Sequence, residues 1–200
     1  MRAIDLNATT RGLLAPVCRD CVWWQVARNA PGAPDLRCSW EREAEAEAGF
    51  FGRALLEGGS VIGYMHAAAA RLVPRAGCLP AGPPSPDAYV LMCSYFHDED
   101  YLRGFQFLLQ ELEAALKHRR VAALEAFGRR RTRPGDPFHA YLRESNLFHP
   151  EVLEGGGFQI VQVKGDVARF RLELATIVEI PRHSVLWERR ADGGMATQPV

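Results

Sequence analysis

The sequence predicts an α/β fold, a mixed β-sheet flanked by helices, on three observations. Residues 88–96 form a nearly continuous apolar run with aromatic side chains, as is typical of a buried central strand. Apolar residues then repeat at helical spacing to about residue 120, and a second apolar run covers 121–127. A strand, a helix and a strand in this order form a βαβ unit with parallel strands. Residues 167–174 alternate apolar and polar side chains, which indicates a half-buried antiparallel strand.

The N-terminal part of the chain predicts a strand, two helices and a hairpin. Residues 2–6 alternate as a short strand does, and threonines and an asparagine offer N-caps for a helix over about 10–20. Glutamate and alanine dominate 40–48, which favours a second helix with one solvated side. The runs 52–57 and 61–66 flank Gly-Gly-Ser, so we expect a hairpin turn that uses the positive φ of glycine.

The remaining segments connect these elements or follow the last of them. Residues 71–87 carry five prolines, which indicates a long ordered loop or flap. A basic, turn-rich stretch precedes an expected short helix at 138–145. One more helical turn is expected near 150–154, then a strand over 158–163 and a frayed tail over 190–200.

Length and charge bound the function classes. The 200 residues fit one domain, which we place at 1–175, with 176–200 as a C-terminal extension. The 24 basic and 24 acidic side chains give no net charge, so we expect no nucleic-acid partner. No apolar run approaches the ~20 residues that span a bilayer, and the N-terminus lacks the apolar core of a secretory signal. We therefore expect no membrane partner and a cytoplasmic location.

The five cysteines do not form a disulfide pattern, because their number is odd and their spacing irregular. Cys18 and Cys21 form a CxxC, which allows three interpretations. It is half of a zinc site completed by Cys38 and a histidine, a redox motif, or two small buried side chains one helical turn apart. The sequence favours the last interpretation, since a second CxxC is absent, and we expect no metal ion.

The order of elements over roughly residues 2–175 resembles the GCN5-related N-acetyltransferase (GNAT) family. The stretch 150–161, PEVLEGGGFQIV, is similar to the family ending P-x-x-F-L-x-x-x-G-F-x-x-V. Gly63-Tyr64 closing the hairpin, 91–96 leading into a Leu-Leu helix, and the runs 121–127 and 169–174 also match family positions. The resemblance implies the GNAT fold, acetyl-CoA as the acyl donor and transfer of an acetyl group to an amine.

The resemblance also implies a cofactor site. In the family the central strand separates from its parallel neighbour, and the pantetheine arm of acyl-CoA pairs with that strand. The pyrophosphate rests on backbone N–H groups of the loop R/Q-x-x-G-x-G/A at the next helix start, where unpaired donors and the helix dipole favour anions. The residues implied in cofactor binding are Tyr95, Phe96, Tyr101, Leu102, Arg103, Gly104 and Phe105.

The pyrophosphate loop departs from the family pattern. Asp100 stands where the family has a basic or amide residue, Arg103 and Phe105 stand at the two glycine positions, and Gly104 is one residue out of register. Negative charge already precedes the helix, and two unit charges ~5 Å apart repel by about 3 kcal/mol at an effective dielectric constant near 20. The acidic run is Asp98, Glu99 and Asp100, and Arg103 and the arginines within 129–133 are the cations that offset it.

Acetyl transfer to an amine requires a proton acceptor. The tyrosine that often precedes the family's Gly-Phe by four residues is replaced by Leu153. Topology makes Glu125 the nearest candidate base, with His97 and His66 as the others; the alternative for each is an ordinary strand carboxylate or histidine.

Two function classes follow. The first is an N-acetyltransferase that uses a small-molecule or protein amine. The second is a degenerate relative without CoA binding, acting as a binding or regulatory module or as a homodimer. In the second, aromatic residues fill the cofactor's space, and one of Phe105 and Phe107 faces a cleft or partner, since residues two apart on a helix point in different directions. The residues that suit this filling role are Tyr101, Phe105 and Phe107.

Overall fold

A computed structural model describes residues 1–27, 35–97, 101–130 and 146–177. Its strands form a seven-stranded sheet in the order β1-β2-β3-β4-β5-β7-β6, and β4 and β5 are its parallel pair while the other neighbours are antiparallel. This mixed sheet with flanking helices confirms the predicted fold class. The strands are β1 (Arg2–Leu6), β2 (Gly52–Glu57), β3 (Ser60–Ala69), β4 (Ala88–Phe96), β5 (Ala123–Arg129), β6 (Gln159–Lys164) and β7 (Val167–Glu173).

Five α-helices lie within the described ranges, and none of them is long and apolar enough to cross a membrane. Short 3-10 turns at Arg11–Leu13, Ala70–Leu72 and Leu174–Thr176 supplement them. The helices are α1 (Pro16–Arg19), α2 (Leu36–Ala48), α3 (Pro74–Cys78), α4 (Tyr101–His118) and α5 (Pro150–Gly155).

Most sequence boundaries are confirmed, and the exceptions involve proline. The expected helix over 10–20 is wrong as one element, because Leu14 and Ala15 are extended before Pro16, and a residue preceding proline avoids the helical region. Within the expected loop 71–87, Pro74 instead starts α3. The expected helix at 138–145 and tail at 190–200 lie outside the described residues, and the domain boundary near 175 remains a prediction.

The hairpin between β2 and β3 turns where the sequence indicated. Gly58 and Gly59 have φ values of 58° and 89°, the left-handed conformation that a two-residue turn between antiparallel strands requires. A side chain at either position would strain the turn, so the glycines fix the register of the hairpin.

An extra residue in β4 sets the geometry of the sheet centre. On β3, His66 pairs with Cys93 while the next residue, Ala67, pairs with Leu91, so Met92 is left over as a β-bulge. Side chains normally alternate between the two faces of a strand. The bulge shifts this alternation by one residue, and the second half of β4 presents side chains of the opposite parity to the first half.

The parallel pairing of β4 with β5 is short. It runs from Ala88↔Ala123 to Leu91↔Ala126, although both strands continue beyond this point. Past the pairing, the Phe148 N–H donates to the Phe127 carbonyl (2.9 Å) and the Arg129 N–H donates to the Phe148 carbonyl (3.0 Å). The two strands therefore separate, and a segment from later in the chain lies alongside β5 there.

Apolar residues pack on both faces of the sheet. Helix α4 covers one face with buried leucines, and Phe105 and Phe148 extend this cluster to the place where β4 and β5 separate. Helix α2 and the N-terminal segment cover the other face, where Trp40, Phe51 and Phe127 are buried. The α4 leucines are Leu108, Leu109, Leu112 and Leu116.

Glu113 is a buried carboxyl group on α4. The residue is 7% exposed, and its carboxyl group makes no hydrogen bond or ion pair within the described part of the chain. Burial raises the pKa of Glu113 to about 7, because the charged carboxylate loses solvation that no partner replaces. The folded state therefore holds this proton more tightly than the unfolded chain does.

We predict that Glu113 makes unfolding free energy depend on pH. Its contribution is fully present below pH ~4.5 and is lost as pH rises through 7, a change of at most about 3 kcal/mol. Urea titrations of Glu113→Gln from pH 4.5 to 8.5 are expected to show a flatter profile and higher stability at alkaline pH. Glu43→Gln, at an exposed helix position, is the control, and equal pH profiles for the two variants would contradict the prediction.

Candidate functional site

A cavity of about 580 Å³ lies on the α2 side of the sheet, next to the separation of β4 and β5. Its floor is β3 and the second half of β4, and its walls come from the segment around α1 and from the start of α2. The volume is typical of small-molecule sites, which span roughly 300–1,000 Å³. The cavity is lined by Val17, Cys18, Cys21, Trp24, Gln25, Arg37, Tyr64, His66, Met92, Cys93, Ser94, Tyr95, Phe96 and Asn146.

The bulge at Met92 directs β4 side chains into this cavity. Cys93 and Tyr95 follow the bulge and face the same side as their β3 partners, His66 and Tyr64. The Tyr64 and Tyr95 rings stack with centroids 5.3 Å apart. Without the extra residue, alternation would send these β4 side chains into the opposite core.

A buried ion network forms one wall. Glu41 accepts from Arg37 (Nε–Oε1, 2.8 Å) and from Arg11 (Nε–Oε2, 2.6 Å). Arg37 also donates to the Cys21 carbonyl (3.2 Å) and lies 4.8 Å over the Trp40 ring. Two guanidinium cations share one carboxylate, so the network carries one uncompensated positive charge beside the cavity.

His66 is held neutral chiefly by its burial and in smaller part by this network. Arg37 Nη2 lies 3.1 Å from His66 Nε2, and a guanidinium has only donors, so Nε2 is the accepting nitrogen. The proton of the neutral ring is then assigned to Nδ1, which lies 3.5 Å from Cys93 Sγ. Burial, with a smaller effect of Arg37, lowers the pKa of His66 well below its usual value. The lone pair that a general base needs is therefore already in use.

The thiols of Cys93 and Cys18 stay protonated. Burial raises the pKa of Cys93 to about 12 and also raises the pKa of Cys18. The Tyr64 hydroxyl, which accepts from the Ala15 N–H at 3.2 Å, likewise has a raised pKa because of burial. His66 Nδ1 carries a proton and cannot accept one from Cys93, so the pair does not form a thiolate nucleophile.

The CxxC cysteines line the cavity, but Cys38 is exposed and is not among the lining residues. Among the described residues, no group of three or more His, Cys, Asp or Glu side chains is spaced to hold a metal ion. The structure thus places Cys18 and Cys21 as half-buried residues of the cavity wall, and no third metal ligand lies with them in the part of the chain that it describes.

Glu125, the first candidate base, lies outside the cavity lining. It is fully buried and accepts from Ser85 (N–H, 3.1 Å; Oγ, 2.7 Å), Arg169 (2.9 Å) and Arg171 (3.2 Å). Arg171 also binds Asp87. This arrangement holds the proline-rich segment against β5 and β7, a structural environment in which both oxygens are already occupied.

His97 is exposed at the end of β4 and also lies outside the lining. The His97 ring meets the Tyr95 ring edge-on, with centroids 4.9 Å apart. The backbone N–H of His97 donates to the Ile62 carbonyl (2.9 Å). Of the three sequence candidates, only His66 reaches the cavity. The family's tyrosine position, Leu153, is fully buried in the α4 core.

The predicted cofactor residues divide into two groups. Tyr95 and Phe96 line the cavity where the strands separate. A Cβ on Gly63 would lie 2.1 Å from the Phe96 ring and one on Gly104 would lie 3.0 Å from it, so these glycines let the ring pack closely. Phe105 is buried with its centroid 6.5 Å from Phe96.

The helix-start residues are described only in part. Leu102 and Arg103 are exposed on the first turn of α4. The structure does not describe the acidic residues 98–100 or the side chain of Tyr101. Repulsion between the acidic residues and a pyrophosphate therefore stays a prediction. Phe107 is half-buried and packs against the same core cluster as Phe105, so the expectation that the two cannot contact one core is wrong, while a partner contact of the exposed part of Phe107 stays a prediction.

Comparison with solved structures identifies the fold. The Salmonella typhimurium putative acetyltransferase yncA with its cofactor acetyl-CoA has a TM-score of 0.52 at 14% identity, with 89% of this chain and 96% of that chain covered. A putative acetyltransferase from Staphylococcus aureus Mu50 has a TM-score of 0.50 at 11% identity, with 87% and 99% covered. No family model and no curated protein matches the chain. The chain thus has the GNAT acetyltransferase fold, as the sequence resemblance implied.

We predict that the Glu41 network is essential for stability. Glu41→Gln leaves the buried Arg37 guanidinium and the half-buried Arg11 guanidinium without their counter-charge, and we expect a loss of about 3 kcal/mol in unfolding free energy, the usual cost of breaking a buried pair. Glu47→Gln, on the same helix but in a solvent-exposed pair with Arg71, is the control and is expected to lose at most ~1 kcal/mol. Urea denaturation measures both, and similar losses would refute the prediction.

Proposed function

We propose that the protein is a GNAT-type N-acetyltransferase that transfers an acetyl group from acetyl-CoA to an amine held in the cavity. The observation that carries this proposal is the end of the β4–β5 pairing at Leu91–Ala126, directly beside a cavity lined by Tyr95 and Phe96. A strand separation next to an acceptor-sized cavity suits a thioester donor that approaches between the strands. The fold of the solved acetyltransferases supports the same assignment.

The residues at the strand separation suit the pantetheine arm of acyl-CoA better than the residues at the start of α4 suit its pyrophosphate. Tyr95 and Phe96 offer backbone and aromatic surface at the separation. Arg103 on the first turn of α4 is the exposed cation available for the pyrophosphate, and the acidic residues 98–100 oppose it. When bound, acetyl-CoA supplies an activated thioester. We therefore expect measurable but weakened donor binding.

The cavity can produce a nucleophilic amine without a carboxylate base. Arg37 is charged, and no carboxylate is among the described lining residues. A positive charge and poor solvation both disfavour an ammonium ion, so a bound amine has a lowered pKa and loses its proton on entry. With acetyl-CoA bound, the neutral amine would attack the thioester carbonyl, the C–S bond would break and CoA would leave as its thiolate, and the proton lost by the nitrogen would pass to that thiolate or to solvent. Cys93 stays a thiol and does not act as the nucleophile.

Isothermal titration of the purified chain with acetyl-CoA and desulfo-CoA tests the proposal. We expect both to bind, with Kd values between about 1 μM and 1 mM, or about 8 to 4 kcal/mol. Arg103→Glu is expected to weaken binding about tenfold or more, and Arg42→Glu, an exposed position on α2, is the control. The triple change D98N/E99Q/D100N is expected to strengthen it. No binding at millimolar ligand would exclude an acyl-CoA-dependent enzyme.

A second candidate function, a homodimeric binding module, is favoured by one observation. Edge strand β6 exposes three aliphatic side chains, Ile160, Val161 and Val163. An exposed edge strand can pair with a second copy about a two-fold axis. Light scattering over a concentration series tests this candidate: a dimer that Val161→Lys disrupts supports it, and a monomer at all concentrations removes it.

A further inference from the structure

The cavity contains a polar side chain that lacks a partner. Gln25 is 7% exposed and lines the cavity, and its amide makes no hydrogen bond to the described residues. Its backbone N–H is bonded to the Val22 carbonyl (3.1 Å), so the turn that carries it is fixed. The amide atoms are not among the fully buried, unpartnered side-chain atoms of the described residues, so they are open to the cavity that the residue lines. The amide is therefore available to a ligand in the cavity.

The electrostatics of the cavity favour an anionic group. Among its described lining residues, Arg37 is the guanidinium cation, the pKa of His66 is lowered and the pKa values of Cys93 and Cys18 are raised, so these three are neutral, and no carboxylate is present. Glu41, the counter-charge of Arg37, is shared with Arg11. The remaining positive charge acts through a poorly solvated region, where Coulomb interactions are several times stronger than in water.

The rest of the lining is apolar. Trp24, Tyr64 and Tyr95 contribute aromatic surface, and Met92 and Val17 contribute aliphatic surface. Arg37 is tied to the Gln25 side of the cavity, because it donates to the Cys21 carbonyl four residues before Gln25. The polar groups therefore come from the N-terminal segment and α2, and the aromatic groups come mainly from the strands.

We propose that the cavity binds a compact apolar carboxylate, with the carboxylate on Gln25 and beside Arg37 and the apolar body against the strand aromatics. If the proposed function holds, the acetyl acceptor is an aminocarboxylate, that is, a molecule that carries an amine and a carboxylate on one apolar body. The carboxylate site itself needs no acyl donor and can be tested alone.

Three probes of one shape test the carboxylate site on the full chain without CoA. They are 3-phenylpropanoate, its neutral amide 3-phenylpropanamide, and the cation 3-phenylpropylamine, titrated by calorimetry at pH 7.5. We expect the carboxylate to bind at least tenfold more tightly than the amide, as for a lost charge-assisted hydrogen bond, and the amine to bind weakest. Equal binding of the three probes, or strongest binding of the amine, overturns the proposal, as does failure of the carboxylate to bind at millimolar concentration.

Substitutions locate the binding. Gln25→Leu keeps the size of the side chain and removes its amide, and we expect it to weaken carboxylate binding about tenfold while phenylpropanamide is less affected. Gln110→Leu, at an exposed position of α4, is the matched control. Arg37→Lys keeps the charge and reports on the guanidinium, with folding checked by thermal unfolding. Unchanged carboxylate binding in a folded Gln25→Leu variant overturns the placement; if that variant fails to fold, the three-probe comparison on the unsubstituted chain still decides.

The outcomes separate this inference from the proposed function. If the chain prefers the carboxylate probe but does not bind acetyl-CoA, the carboxylate site is supported and the transferase proposal is overturned. If the chain binds acetyl-CoA but does not prefer the carboxylate probe, the transferase proposal is supported and the aminocarboxylate acceptor is overturned. With both, acetyl transfer to 4-(aminomethyl)benzoate is expected to be faster than to benzylamine, and the reverse order overturns the aminocarboxylate assignment.

Discussion

The end of the parallel pairing between β4 and β5 is the constraint on which the candidate site depends. Four residue pairs hold the strands together, and the β-bulge at Met92 stands where this pairing stops. Because the bulge changes which side chains face α2, it turns Cys93 and Tyr95 towards His66 and Tyr64. One inserted residue thus both ends a strand pairing and supplies the floor of a cavity, which ordinary alternation does not allow.

The wall of the cavity joins stability to recognition. Glu41 holds Arg37 against His66 and the Cys21 carbonyl, so the same contacts that anchor α2 also fix a cation beside the cavity and the tautomer of a histidine. The histidine His66 and the thiols of Cys93 and Cys18, which suggest acid–base or covalent catalysis, are kept neutral chiefly by their burial. What the site offers chemically is a charged, poorly solvated environment that acts on the protonation of what it binds.

Local patterns in the sequence predicted most of the fold but little of the site. Local sequence patterns are enough to predict the strand at 88–96, the helix after it and the glycine turn. The bulge at Met92 is marked by no glycine or proline, because it depends on the pairing with β3. Arg37 and Glu41 are four residues apart, which is also the spacing of a solvated ion pair on a helix. The pair is buried because Arg37 packs against the Trp40 ring and beside His66, and the sequence does not show these contacts. Glu125 lies on the strand that topology indicated, yet Arg169 and Arg171, distant in sequence, occupy its oxygens.

The two hydrogen bonds between Phe148 and β5 have a consequence for how the chain can change in length. They fix, side by side, the points where the backbone leaves β5 and where it returns, at the edge of the strand separation. The entropy of closing a chain between fixed ends grows only with the logarithm of its length, so doubling the intervening residues costs about 0.6 kcal/mol. Insertions or deletions between Arg130 and Asn146 are therefore expected to change the length of this connection at a small entropic cost, without moving the strands that form the floor of the cavity.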